Sequence, residues 1–515
     1  WAAWHGALGE DEDRRFLGRC QPVQDRDLEE RLHHADEDIE IQRKDGAGDV
    51  DPAPRVLQAV TVQRDKRHRQ HRDYTRHELR EALRETIACF PVYRTYVRPH
   101  LLKGLCADDI LYIQEAIDAA GKHRPDLDDR LFTFLANILL LQVRGDVEAE
   151  LVLRFQQLTG PVMAKAIEDT AFYNYHRLVS LNEVGGDPGR FGTSLEAFHK
   201  ACVRRFEDWP RTMTTTSTHD TKRGEDVRAR INLLPAIADH WAERVRRWAG
   251  LNERFRREGL PERNMEYLLY QTLVGAWPIE PARLLGYITK AAREAKVHTS
   301  WTDPNPQYEA ALRDFTGSIL GSPEFVEDLE QFVRPLVPLG RINSLSQALI
   351  KFTAPGVPDI YQGNELWDLS LVDPDNRRPV DYDRRRCLLS ELDRLSPEQI
   401  MARSDEGMPK LWVTRQALRL RRSRSIVFEQ GDYRPVRAYG KKAEHVVAFS
   451  RGEEVVTVAP RLVISLGTDW DDTTLELPVG SWHNELTGET IRDNVISPTT
   501  LLDRFPVALL NRQST

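Results

Sequence analysis

From Tyr74 onward, hydrophobic positions recur with a helical period. TRHELREALRETIACF sets Leu79, Leu83, Ile87 and Phe90 on one face, with Thr75 as N-cap and Glu78 completing a capping box. The same periodicity predicts helices over Asp108–Ala120, Asp126–Leu141 and Asp146–Leu158. TGPVMAKA, Thr159–Ala166, reads as a turn followed by a short buried strand. LNEVGGDP, Leu181–Pro188, is a loop by its Gly and acidic content, and Leu195–Trp209 is again helical. TTTSTHD then reads as a β-prone run whose C-terminal end opens into ionisable residues.

Glu225–Leu349 is mostly helical in pattern, over Pro235–Trp248, Met265–Leu273, Pro281–Lys296, Pro323–Leu336 and Arg341–Ile350. Breaks are expected at Trp277-Pro278 and at Pro338–Gly340. KFTAPGVPDIY, Lys351–Tyr361, reads as a second strand running into a loop. After about Trp412, alternation replaces the helical period. His445–Arg451, Val455–Val458, Leu462–Leu466 and Thr473–Leu477 read as short strands between turns. Helices with sparse buried strands, then regular short strands, imply an α/β domain followed by a small all-β domain.

Residues 1–67 break with this pattern. They are dense in charge and poor in aromatic and β-branched residues; helical patches such as Asp27–Ile41 are possible, but DGAGDVDPAP, Asp45–Pro54, breaks any continuous element. They read as an atypical leader, disordered or non-native. Residue 1 is Trp rather than Met, so the expectation is a chain that begins inside a longer protein.

The chain of 515 residues is 40% hydrophobic and 30% charged, enough for a large core and more than one domain. A net charge of -8 offers no basic footprint for nucleic acid. The longest apolar run, LFTFLANILLLQV over Leu131–Val143, has the length of a core helix and not of a membrane span. The opening WAAWHGALGEDEDRR is acidic where a secretory signal is basic. Cys20, Cys89, Cys106, Cys202 and Cys387 are scattered and odd in number, so neither a disulfide framework nor a zinc motif is read from them. The expectation is a cytoplasmic protein with no cofactor and no metal.

Three groups of residues could carry chemistry. His219-Asp220, followed by Lys222 and Arg223, ends the β-prone run; a salt-bridged strand end would look similar. An HD-type metal phosphohydrolase would need further His ligands, for which only His33-His34 and His68/His71 are at hand. GVPDIYQGNE and DPDNRRPVD bring Tyr361, Glu365, Asp375, Asn376 and Arg377, suited either to hydroxyl-rich ligands or to bracing a loop. In MAKAIEDT, Lys165 could point into a pocket with Glu168 as partner, or form a surface ion pair.

Taken together, STHDTKRGED, GVPDIYQGNELWDLSLVDPDNRRPVDY, GPVMAKAIEDTAFYNYHRLVSLNEVGGDPGRFG, HRDYTRHELREALRETIACFPVYRTYV and LLDRFPVALLNR resemble the malto-oligosyltrehalose synthases of the α-amylase clan. The resemblance runs in consistent order from about His71 to the end. It implies the C-terminal part of a (β/α)8 barrel with large helical insertions, followed by a small all-β domain. Boundaries then fall at 68–224 for a partial barrel with helical insertion and 225–350 for a second helical insertion. Residues 351–410 would hold the last barrel strand with its helices, and 411–515 the β-domain.

Such enzymes turn the reducing-end α-1,4 bond of a malto-oligosaccharide into an α,α-1,1 bond by intramolecular transglucosylation. By resemblance, Asp220 is the carboxylate that stabilises the transition state, with His219 beside it. Lys165, Glu168, Lys222 and Arg223 would hold the rotating glucose; Tyr361, Glu365, Asp375, Asn376 and Arg377 would contact substrate. The partner implied is a malto-oligosaccharide, with a trehalose-releasing hydrolase acting on the product.

The family's nucleophile motif Gly-x-Arg-x-Asp, its acid Glu motif and its Asp-x-x-x-Asn-His motif should precede the matching segments, and none is found. The expectation is therefore a truncated chain inactive by itself. The competing readings are a carbohydrate-binding scaffold without turnover and an α-glucan hydrolase of the same clan.

Overall fold

The computed structural model describes residues 74–101 and 103–513; the leader, its histidines and the Asp27–Ile41 patch lie outside them. Among the described residues there are two compact units. One runs to Asn174 and includes Glu294–Pro304; the other holds Tyr175–Arg293 and continues from Asn305.

The first unit is helical, with helices Arg76–Ala88, Ala107–His123, Asp129–Leu139 and Asp146–Met163. The capping box at Thr75 and Glu78 forms as expected. Leu79, Leu83, Ile87, Ile113, Leu131, Leu135 and Phe155 close a single core, with Phe90 edge-on to Phe155 at 5.3 Å. Each such side chain stabilises the unit by roughly 1.5–3 kcal/mol. The run Leu131–Val143 supplies part of this core, and no described helix is long and apolar enough to cross a membrane.

TGPVMAKA is not a turn and strand. The helix continues through Pro161 to Met163 and passes into a π-helical turn, Ala164–Glu168. There the Asp169 amide reaches back five residues to the Ala164 carbonyl, at 3.0 Å. Proline forfeits one intrahelical bond, and a wider turn close behind it restores a partner for the following backbone.

In the second unit the long helix Leu336–Thr353 packs against helices Glu225–Ile231 and Met408–Ser423. It runs straight through the break expected at Pro338–Gly340. Pro338 falls in the first turn, where its missing N–H costs nothing. A Cβ on Gly340 would sit 3.2 Å from the Cβ of Arg230, so the glycine permits close helix packing. A helix over Pro306–Leu320, which the sequence pattern did not single out, also belongs here.

Strand β1 (Met213–Thr214) lies parallel to β2 (Val357–Pro358), pairing Met213 with Val357 and Thr214 with Pro358. Parallel neighbours so far apart in sequence deliver their following loops to the same end.

Strands begin in earnest at Tyr433, later than expected, because Trp412 sits in the helix Met408–Ser423. They are β3 (Tyr433–Pro435), β4 (Ala438–Tyr439), β5 (Val446–Arg451), β6 (Val455–Pro460), β7 (Thr474–Glu476), β8 (Trp482–Asn484), β9 (Thr490–Ile491), β10 (Val495–Ile496) and β11 (Ala508–Arg512). They form an antiparallel sheet β3-β5-β6-β11-β8-β9 and a smaller one β10-β7-β4. Every residue of β5 and β6 is buried, the polar Ser450, Arg451 and Thr457 included. Leu462–Leu466 is not a strand: Leu462 takes a left-handed backbone with φ 51, and Val463–Leu466 forms a short helix.

The architecture is thus a helix-rich body carrying a β-domain. Cys89, Cys106, Cys202 and Cys387 are all free thiols.

Candidate active site

The His219-Asp220 loop leaves β1 and turns into the helix Glu225–Ile231. His219 and Asp220 are exposed, while Thr221 to Asp226 are buried. The buried Lys222 side chain brings Nζ to 3.8 Å from Asp220 Oδ1, on a carboxylate whose side chain is 55% exposed. Asp220 is therefore open to a ligand, with a cation fixed beneath it.

Backbone contacts hold this loop. The Glu183 carboxylate accepts the amides of Lys222 at 2.7 Å and Arg223 at 3.2 Å. Gly224 donates to the Ser370 carbonyl at 2.8 Å, and a Cβ there would stand 3.0 Å from the Asp368 carbonyl oxygen. Arg223 is buried, its guanidinium donating to the Val179 carbonyl at 3.1 Å and the Tyr287 hydroxyl at 2.8 Å. In this geometry Arg223 braces the loop.

Beneath lies a buried ionic cluster. Lys410 Nζ contacts Glu225 and Asp226, both at 2.7 Å, and Lys351 Nζ lies 3.4 Å from Glu225. Thr216 donates to Glu225, and Lys351 donates to Thr216 at 2.9 Å. Burial would raise the Glu225 pKa, but Lys410 and Lys351 prevail and hold it at about 2. Asp226 responds oppositely. Burial pushes its pKa up, with the neighbouring Glu225 charge adding to the rise against the pull of Lys410. The cluster ties the β1 exit to the helices carrying Lys351 and Lys410.

The second loop joins the first. Asn376 Nδ2 donates to the His219 carbonyl at 3.0 Å and weakly to that of Thr218 at 3.4 Å. Tyr361 in turn donates to the Asn376 carbonyl at 3.2 Å. Asp375 forms a two-pronged pair with Arg283 at 2.7 and 2.8 Å and accepts the Leu371 amide at 2.8 Å. Burial would raise its pKa, yet these bonds hold it below the ordinary value. Arg377 pairs with Asp373 at 2.5 Å on the surface, and Glu365 accepts from Arg385 at 3.0 Å. The structure thus brings His219, Asp220, Lys222, Arg223, Tyr361 and Asn376 into one bonded set, and commits Asp375 to bracing.

Lys165 and Glu168 belong to the other unit. Lys165 pairs with Asp169 at 2.7 Å, and Glu168 is buried and accepts from the Tyr93 hydroxyl.

Sequence reasoning missed Glu183, Arg283, Lys351 and Lys410. Glu183 could have been singled out from the acid in its Gly-rich loop; Lys351 reads from sequence as opening a strand, whereas the helix Leu336–Thr353 runs through it and only Val357–Pro358 pairs as strand, and Lys410 lies in a helix where a lysine reads as solvated. Asn364 is also buried, with neither side-chain amide atom bonded to protein.

No family model matches the chain. A curated Mycobacterium tuberculosis (strain CDC 1551 / Oshkosh) protein named as a maltooligosyl trehalose synthase is 43% identical over 373 residues, 71% of this chain and 46% of its own length. Among solved structures, the maltooligosyltrehalose synthase from Arthrobacter ramosus is 39% identical with a TM-score of 0.75, over 84% of this chain and 54% of its own. A hypothetical maltooligosyl trehalose synthase of Sulfolobus tokodaii is 30% identical with a TM-score of 0.66, over 90% of this chain and 58% of its own. The resemblance read from the sequence is therefore shown over most of the chain, which spans about half the length of these relatives.

Proposed function

We propose that this chain carries part of the active site of a malto-oligosyltrehalose synthase, with β1 and β2 as the seventh and eighth strands of a (β/α)8 barrel. The carrying observation is the parallel pair β1–β2, whose following loops meet through Asn376 and the His219 carbonyl. In such barrels the reacting groups sit on loops after the strands' C-terminal ends.

The chemistry assigns roles to the side chains. Transglucosylation passes through an oxocarbenium-like state, and a carboxylate that holds sugar hydroxyls binds more strongly as that state forms. Asp220 is exposed for that task, and buried Lys222 fixes its surroundings. His219 supplies a further hydroxyl partner. Lys222 serves the glucose that must rotate and re-attack. Arg223 and Asp375 act by fixing the loops. Tyr361, Glu365, Asn376 and Arg377 border the substrate.

The sequence holds no Gly-x-Arg-x-Asp motif. Without that nucleophile no glycosyl-enzyme intermediate forms, so this chain by itself is expected not to isomerise malto-oligosaccharide. The product of the complete enzyme is a substrate for a trehalose-releasing hydrolase.

The test is Asp220→Asn in a protein completed with the portion of the Mycobacterium tuberculosis relative that this chain does not match. Turnover should fall by orders of magnitude with little change in KM, the signature of an interaction made mainly in the transition state. Near-normal turnover would remove Asp220 from that role.

A further inference from the structure

A second constellation lies in the helical unit, apart from the sugar chemistry. Glu85 and Cys89 are one turn apart, Cys89 being the C-cap of the helix Arg76–Ala88. Residues so spaced share a face. His123 closes the helix Ala107–His123, which packs on the first through the shared core. Glu85 Oε1 lies 3.1 Å from His123 Nδ1 and 3.7 Å from Cys89 Sγ, and Sγ lies 3.5 Å from Nδ1.

These separations are close to the edges of a zinc coordination tetrahedron. With Zn–O and Zn–N near 2.1 Å and Zn–S near 2.3 Å, ligand atoms stand about 3.4–3.6 Å apart. The three atoms also belong to the three ligand types that zinc accepts together.

A second observation points the same way. Glu85 is buried, at 5% exposure, yet among the described residues its ion-pairing partner is the imidazole of His123 alone. The nearby guanidinium groups are committed elsewhere: Arg84 and Arg124 both pair with Glu81, at 2.9 and 3.0 Å. A buried carboxylate without a fixed cation is costly, and a bound metal ion would neutralise it.

The geometry points to a zinc-class divalent metal site formed by Glu85 Oε1, Cys89 Sγ and His123 Nδ1. The His123 side chain is 37% exposed, which leaves the fourth position open to water. Thiolate and imidazole favour zinc, cobalt or nickel over magnesium and calcium, which take all-oxygen shells. Binding displaces the Cys89 thiol proton to solvent and forms the metal–sulfur bond, with no redox change. The ion would staple two helices whose ligands are too far apart in sequence to form a recognisable motif.

The test uses the untagged full chain, stripped with EDTA and titrated with zinc and with cobalt(II). One equivalent should bind, cobalt should give a thiolate charge-transfer band with tetrahedral visible bands, and zinc should raise Tm. Cys89→Ala and His123→Ala should each lose that equivalent, while Cys387→Ala should keep it. Wild-type cobalt spectra need no variant to fold, and absence of the thiolate band would overturn the site. Absence of stoichiometric uptake, or unchanged uptake in folded Cys89→Ala and His123→Ala proteins, would do the same.

Discussion

The carboxylate of Glu183 accepts the backbone amides of both Lys222 and Arg223, at 2.7 and 3.2 Å. One buried side chain thus sets the course of the loop that presents Asp220. Glu183→Ala would strand two amides, each costing roughly 1–3 kcal/mol if left unsatisfied. A fall in urea midpoint is expected, together with faster proteolysis within residues 217–224. An unchanged midpoint and cleavage pattern would show that Glu183 does not hold the loop.

The cluster around Lys410 makes a pH-dependent contribution of known sign. Glu225 has a folded pKa of about 2 against an ordinary 4.5, so its charge stabilises the fold above that ordinary value. The contribution is lost as pH falls from there toward about 2. Asp226 is shifted upward by burial, so its charge opposes folding at neutral pH. Glu225→Gln should therefore destabilise more than Asp226→Asn at pH 7 and should flatten the acid limb of the stability curve. Lys410→Met should cost about 3–5 kcal/mol by leaving buried carboxylates unpaired. Equal effects of Glu225→Gln and Asp226→Asn, measured by denaturant melts across pH, would refute this division.

Gly224 is held against the chain at Asp368 and Ser370. A Cβ would meet the Asp368 and Ser370 carbonyl oxygens at 3.0 and 3.2 Å. Gly224→Ala should cost about 1–3 kcal/mol by overpacking. Because the clash separates the two site loops, maltopentaose affinity should fall as well. Wild-type stability would indicate that the loops separate without penalty.

Lys222 makes an expectation about products. If it orients the acceptor glucose, Lys222→Ala in the completed protein should raise the share of hydrolysis, because a loosely held acceptor loses to water. Chromatographic separation of glucose from the trehalose-linked product measures this split. Slower turnover at an unchanged ratio would confine Lys222 to supporting the loop.

The elements with strong periodicity were legible in the chain. Arg76–Ala88 with its capping box and the buried strands β5 and β6 follow from local pattern alone. The pattern misled at local breakers: Pro161 lies inside a helix, Pro338 falls in a first turn that tolerates it, and Leu462 opens a helical turn from a left-handed backbone. The loops of the candidate site were legible, since His219 and Asp220 fall in STHDTKRGED and Asn376 in DPDNRRPVD. Its supports were not, because Lys351 and Lys410 reach Glu225 from helices 126 and 185 residues away, and no short spacing marks them. Glu85 and Cys89 stand one turn apart, but His123 joins them only through the packing of a second helix 34 residues on.

The fate of the reducing end of maltopentaose decides the functional reading. In the completed protein, reducing ends should disappear while the oligosaccharide keeps its size, and Asp220→Asn should abolish the loss. The chain by itself should leave reducing ends intact. Release of free glucose as the main product would make the protein a hydrolase. Steady loss of reducing ends by the unsupplemented chain, or by the Asp220→Asn protein, would contradict the roles assigned to this site.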